Sequence, residues 1–184
     1  LILKSKNKLV YLAGGMEKRN DGGATWRRMI TPKLEELGYD VFNPCLEECD
    51  IVENYGFTSD DLKSLNKGRN IKILQDLGKD IVLRDLKAIS NCDVMIVYYD
   101  KSVNESSGTL SEMTIVRLLN MRRRKKQVPV YAIQRVSYKQ IPVWTIGCID
   151  EFFGSLNECT NYMKLKESIK IGKEKIKEKK NEGK

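Results

Sequence analysis

The sequence predicts an α/β protein: a parallel β-sheet covered by helices on both faces, followed by a long C-terminal helix. Three observations predict it. Short apolar runs rich in Val, Ile and Tyr alternate along the chain with segments of helical periodicity. The run Val94 to Tyr99 is apolar throughout, as a strand buried on both faces should be. At 184 residues and 41% apolar content, the chain has room for one domain with a substantial core.

In order, Lys8 to Ala13 reads as the first strand and runs into Gly14-Gly15. Trp26 to Leu37 places Trp26, Met29, Ile30, Leu34 and Leu37 at helical spacing and stops at Gly38. Pro32 should kink that helix or restart it with Thr31 as cap. Tyr39 to Asn43 is the second strand, closed by Pro44. Residues 45–67 read as a polar, irregular excursion. Ile71 to Leu77 is helical, and Asp85 is a suitable N-cap for a separate short helix carrying Leu86 and Ile89. The central strand, Val94 to Tyr99, precedes a helix from Leu110 to Arg122. Val128 to Ile133 is the next strand, and Pro142 to Ile149 supplies a short further one. Ser155-Leu156-Asn157-Glu158 is a capping box that opens the terminal helix. The expected division is a domain over 1–163 and a Lys/Glu-rich helical or disordered tail over 164–184.

Composition narrows the chemistry. There is no histidine, which excludes histidine-based triads and imidazole acid–base work. The five cysteines, Cys45, Cys49, Cys92, Cys148 and Cys159, are odd in number and irregularly spaced. They read as reduced, mostly structural thiols, and hence as a cytoplasmic setting. Cys45 and Cys49 without a histidine make a poor zinc site, so no metal is expected. No apolar run approaches membrane-spanning length, and Leu1-Ile2-Leu3 is too short for a signal-peptide core. The net charge is +8. Nine lysines and four glutamates from Lys164 to Lys184 supply +5 of it. The interspersed glutamates favour a solvated helix, with nucleic-acid binding through the basic tail as the alternative. The run from Arg122 to Lys126 closes a helix, where cations suit the dipole.

The segment Asp93 to Glu112 is the most suggestive. An apolar strand enters a polar loop ending in Ser106-Ser107-Gly108-Thr109, with Glu112 one helical turn later. Ligands of α/β proteins bind outside the carboxyl ends of strands, where small residues and helix N-termini favour anionic groups. Thr109-Leu110-Ser111-Glu112 is also a capping box, so spacing alone does not separate catalysis from capping. Gly14-Gly15 fits a nucleotide-binding turn or a plain tight turn; it matches neither the P-loop nor the dinucleotide fingerprint.

Several segments together resemble the nucleoside 2-deoxyribosyltransferase-like superfamily, which includes nucleoside 5′-monophosphate N-glycosidases. They are Val10-Tyr11-Leu12-Ala13-Gly14-Gly15-Met16, Val41-Phe42-Asn43-Pro44, and Arg84-Asp85-Leu86-Lys87-Ala88-Ile89 followed by Cys92-Asp93-Val94-Met95-Ile96-Val97. Ser106-Ser107-Gly108-Thr109-Leu110-Ser111-Glu112 completes the set. The resemblance implies a flavodoxin-like or Rossmann-like fold and cleavage or transfer of an N-glycosidic bond, without metal or cofactor. It implies Glu112 as nucleophile, Asp85 as a proton-transfer partner near the base or sugar, and Tyr11 as the group orienting Glu112. Gly14, Gly15, Ser106, Ser107, Gly108 and Thr109 would bind the substrate. Transferases acting on free nucleosides tend to carry an acidic residue near Ser106, whereas serine there suits a 5′-phosphate. The resemblance also implies a homo-oligomer, and water or a free base as acceptor. A non-catalytic nucleotide-binding module is the competing expectation.

Overall fold

The computed structural model describes residues 7–16, 18–58, 71–122 and 127–182. Among the described residues the strands are β1 (Lys8–Gly14), β2 (Tyr39–Phe42), β3 (Val94–Tyr99), β4 (Val130–Gln134) and β5 (Glu151–Phe153). They form one sheet, parallel at every pairing, in the order β2-β1-β3-β4-β5. This is the flavodoxin-like doubly wound order, whose switch point lies between β1 and β3. The helices are α1 (Ala24–Glu36), α2 (Pro44–Asn54), α3 (Ile71–Asn91), α4 (Lys101–Asn104), α5 (Ser107–Arg122), α6 (Val143–Ile146) and α7 (Leu156–Glu182).

The period-two alternation of strand side chains divides the core into two layers. Tyr11, Ala13, Met95, Val97 and Tyr99 meet Ala88 and Ile89 of α3 and Met113 and Val116 of α5. Val10, Leu12, Val94 and Ile96 meet Trp26, Ile30 and Leu34 of α1 and Cys159 and Met163 of α7. The sheet is therefore covered on both faces, as the sequence predicts. At its amino-terminal edge, the Asp93 carboxylate accepts from the Leu9 amide at 2.7 Å and the Asp150 carboxylate from the Val130 amide at 2.7 Å. No helix of the described residues is long and apolar enough to cross a membrane.

Several expected elements are corrected. The excursion after Pro44 begins as a helix: Asn43 caps it by accepting from the Cys45 amide at 3.1 Å, and Pro44 occupies its first turn. Residues 59–67 lie outside the described residues. The two short helices expected between Ile71 and Ile89 are one, α3, which runs through Gly78. Asp85 lies inside it and is no N-cap. Helix α1 passes through Pro32 without restarting; Thr31 caps nothing, and its hydroxyl donates to the Arg27 carbonyl at 2.8 Å. Pro142 to Ile149 is not a strand: Pro142 precedes the single turn of α6, and the fifth strand is Glu151–Phe153.

The terminal helix starts as expected, with Ser155 Oγ accepting from the Glu158 amide at 3.1 Å. Glu158 turns back to accept from the Gly154 amide at 2.8 Å. Its anchoring extends to Glu167, which accepts from the Tyr39 hydroxyl at 2.8 Å and from Lys8. From Ser168 onward its described side chains are exposed. Of the basic run after α5, residues 123–126 lie outside the described residues.

Candidate active site

Tyr11, at the middle of β1, is fully buried on the α3/α5 side of the sheet. Its hydroxyl donates to Glu112 Oε1 at 2.6 Å, and its ring stacks on Phe42 at 5.3 Å between centroids. Glu112 projects from the second turn of α5. The helix starts at Ser107, so Thr109 lies inside it and is no cap, and the Glu112 carboxylate meets Tyr11. Burial pushes the Glu112 carboxyl up from the usual 4.5 to about 7. The Tyr11 bond opposes that rise, the nearby Asp85 charge adds to it, and Arg27 and Arg84 oppose it. The Tyr11 phenol is held far above its ordinary range, first by burial and then by Glu112 and Asp85, so it stays a donor.

Asp85 sits on α3, its carboxyl raised by burial against the opposing effect of Arg84. Arg84 holds Asp85 Oδ1 through Nε at 3.0 Å and Nη2 at 2.7 Å. The same guanidinium lies over Phe42, 5.8 Å from the ring centroid. Its Nη1 is buried with no protein partner among the described residues. Two carboxyls of raised pKa, a phenol and a donor without a partner thus share one electrostatic neighbourhood.

Arg27, which sequence reasoning did not single out, organises the turn after β1. It is 1% exposed, an unusual position for a charged side chain. Its guanidinium donates to the carbonyls of Leu12 at 3.2 Å, Gly14 at 3.0 Å and Gly23 at 3.0 Å, and to the Cys45 sulfur at 3.3 Å. Burial lowers its pKa. The only legible signal was its place beside Trp26 on the buried stripe of α1.

Gly15 packs on Ser102: a β-carbon there would fall 2.1 Å from Ser102 Oγ. Gly23 has φ of 78°, which favours glycine, and a β-carbon would lie 2.4 Å from Arg27 Nη1. Close packing thus accounts for both glycines. The outer part of the turn is held by Arg19, which pairs with Asp21 at 2.9 Å and with Asp100. The α5 start presents exposed Ser107 and Gly108, half-buried Ser106 and buried Thr109, while Glu105 is exposed. A β-carbon on Gly108 would meet nothing within 4 Å, so space is open there.

Two cavities accompany this arrangement. One of about 150 Å³ lies at the amino-terminal edge of the sheet near Asp93 and Pro129. A larger cleft of about 430 Å³ lies between α1 and α7. Glu112 lines neither. Among the described residues, no group of three or more Cys, Asp or Glu side chains is arranged to hold a metal ion.

No family model matches the chain, and no curated protein matches it. Among solved structures, a CMP N-glycosidase of Clostridium botulinum is similar, with 18% identity and a TM-score of 0.47. The match covers 86% of this chain and 98% of that one.

Proposed function

We propose that the protein cleaves or transfers the N-glycosidic bond of a nucleoside or its 5′-monophosphate through a glycosyl ester on Glu112. The observation that carries this reading is the 2.6 Å bond from the Tyr11 hydroxyl to a Glu112 carboxyl near Asp85. A carboxylate that only capped its helix would turn to its own first-turn amides.

The ionised Glu112 attacks the anomeric carbon as the bond to the base breaks, and the base leaves with the electron pair. Asp85, held in place by Arg84, passes a proton to the departing base. Water or a second base then attacks the anomeric carbon and releases Glu112, following the logic of retaining glycosidases. Tyr11 holds the nucleophilic carboxylate in one orientation. The free donor of Arg84 suits an oxygen of the substrate, because a buried donor is costly while unpaired. Ser106, Ser107 and the first-turn amides at Gly108 and Thr109 hold the 5′ end. Serine hydroxyls and a helix N-terminus accept a phosphate dianion, which supports a 5′-monophosphate as substrate.

The test is a panel of nucleosides and 5′-monophosphates, with and without a free acceptor base, in which released base is followed by chromatography. Base release or exchange that disappears in Glu112→Gln is the expected result. Turnover indifferent to that change would overturn the nucleophile. The competing reading is a nucleotide-binding module without turnover. It predicts saturable nucleotide binding with no base released.

A further inference from the structure

The cleft between α1 and α7 lies across the sheet from Glu112. Its floor follows the carboxyl ends of β3 and β4, at Tyr98 and Ile133, and its apolar wall includes Met29 and Leu156. Its volume of about 430 Å³ is within the range of small-molecule sites.

Two cations line it without a carboxylate partner among the described residues. Lys33 of α1 meets only the Asn157 side-chain oxygen, and Arg135 donates only to the Gly154 carbonyl at 3.3 Å. Both partners belong to the entry of α7, so the two charges flank the amino terminus of the longest helix. The Glu158 amide there is taken by Ser155 Oγ, which leaves the amides of Leu156 and Asn157 without intrahelical partners. The third cation in the lining, Arg19, is committed to Asp21 and Asp100. The carboxylate of Glu158, on the first turn of α7, is turned away onto the Gly154 amide. Trp26, 3% exposed, lines the same cleft with its indole Nε1 unpartnered, its ring stacked on Tyr98 at 5.2 Å.

We infer that this cleft is a second ligand site, separate from Glu112, for a phosphate monoester carried on an apolar ring. Lys33 and Arg135 match the two charges of the phosphate, and Met29 and Leu156 cover the ring, while Tyr98, packed on Trp26 and under Arg19, forms the floor. A free inorganic phosphate would use only half of this lining. The inference does not depend on what Glu112 does.

The chain has two tryptophans, one in the cleft and one, Trp144, on α6, where its Nε1 donates to Thr114 at 3.4 Å. Their indole signals in proton–nitrogen spectra therefore report the cleft and a distant surface. Phenyl phosphate titrated into the full chain should shift the Trp26 indole saturably and leave that of Trp144 in place. The double variant Lys33→Gln, Arg135→Gln changes two surface side chains and should keep the spectrum of the folded protein. It should weaken binding about tenfold or more, as expected for lost charge-assisted bonds. Inorganic phosphate should bind more weakly than phenyl phosphate. Equal affinity for the two anions would overturn the ring contact. No saturable Trp26 shift, or undiminished binding by the double variant, would overturn the site. Shifts confined to the amides of Ser107, Gly108 and Thr109 would place the probe beside Glu112 and overturn it equally.

Discussion

Glu112 is held between opposing influences, and its behaviour with pH follows from their balance. Burial favours the neutral acid and the Tyr11 hydroxyl favours the anion, with a net result of about 7. If the anion is the nucleophile, kcat/KM for a nucleoside should rise with pH through about 7. Tyr11→Phe removes the bond that lowers this pKa. The rising limb should move to higher pH, and kcat/KM at neutral pH should fall about ten- to a hundredfold, the effect of a hydrogen bond to a charged group. An unchanged profile would mean the phenol does not set the ionisation. The same shift bears on stability. The folded state binds the Glu112 proton more tightly than the unfolded chain, whose carboxyl titrates near 4.5. Stability is therefore fully present below pH 4.5 and is lost as pH rises through about 7. Glu112→Gln removes that loss. It should be more stable than the parent at pH 8, by up to about 3 kcal/mol, and similar to it near pH 4. Denaturant unfolding at the two pH values measures the difference.

At the scale of elements, the site depends on α2 in a way that composition hides. The cap at Asn43 fixes the first turn of α2 and places Cys45 against Arg27 and against the Gly22 carbonyl, at 3.2 Å. Asn43→Ala should cost about 1 kcal/mol, read as a lower urea midpoint with an unchanged slope. The parallel strands β1, β3 and β4 were legible because strands buried on both faces are nearly continuous apolar runs. Helix α2 was missed although Asn43-Pro44 carries its start signal, because the polar residues that follow suggested a loop. Gly78 and Asp85 suggested a break in α3, yet one interior glycine costs a helix only about 1 kcal/mol, and packing of Leu77, Ala88 and Ile89 overrides it. The β-branched residues of Val143-Trp144-Thr145-Ile146 read as strand, but the turn after Pro142 closes them into α6. With three residues, β5 is too short to show a period. At the site, Tyr11 and Glu112 were legible as a pair only through ordered resemblance, since their contact spans 101 residues. The roles of Arg27 and Arg84 were not legible: the partners of Arg27 include carbonyls of β1, and an arginine next to an aspartate reads as an ordinary surface pair until Phe42 and Tyr11 close around it.

Across the whole molecule, charge and packing are distributed differently. The folded core uses α7 only as far as Glu167, which ties it to Tyr39 and Lys8. Beyond that point the described side chains are exposed, while the lysines continue to the end of the chain. Residues 171–184 hold six lysines and three glutamates, so removing them lowers the net charge from +8 to +5. A shortened chain ending at Lys170 keeps every contact described between α7 and the sheet. Its melting temperature should stay within about 2 °C of the parent, because exposed positions contribute little to stability. Glu167→Ala in the full chain should lower it measurably, since the Tyr39 hydroxyl loses its acceptor. If the tail also served nucleic acid, the shortened chain would lose affinity for a single-stranded oligonucleotide, and the salt dependence of what remained would be shallower. The glutamates among the lysines predict the opposite: weak binding to the parent, changed little by the deletion. A fluorescence titration of both chains at two salt concentrations separates a basic arm from a solvated helix.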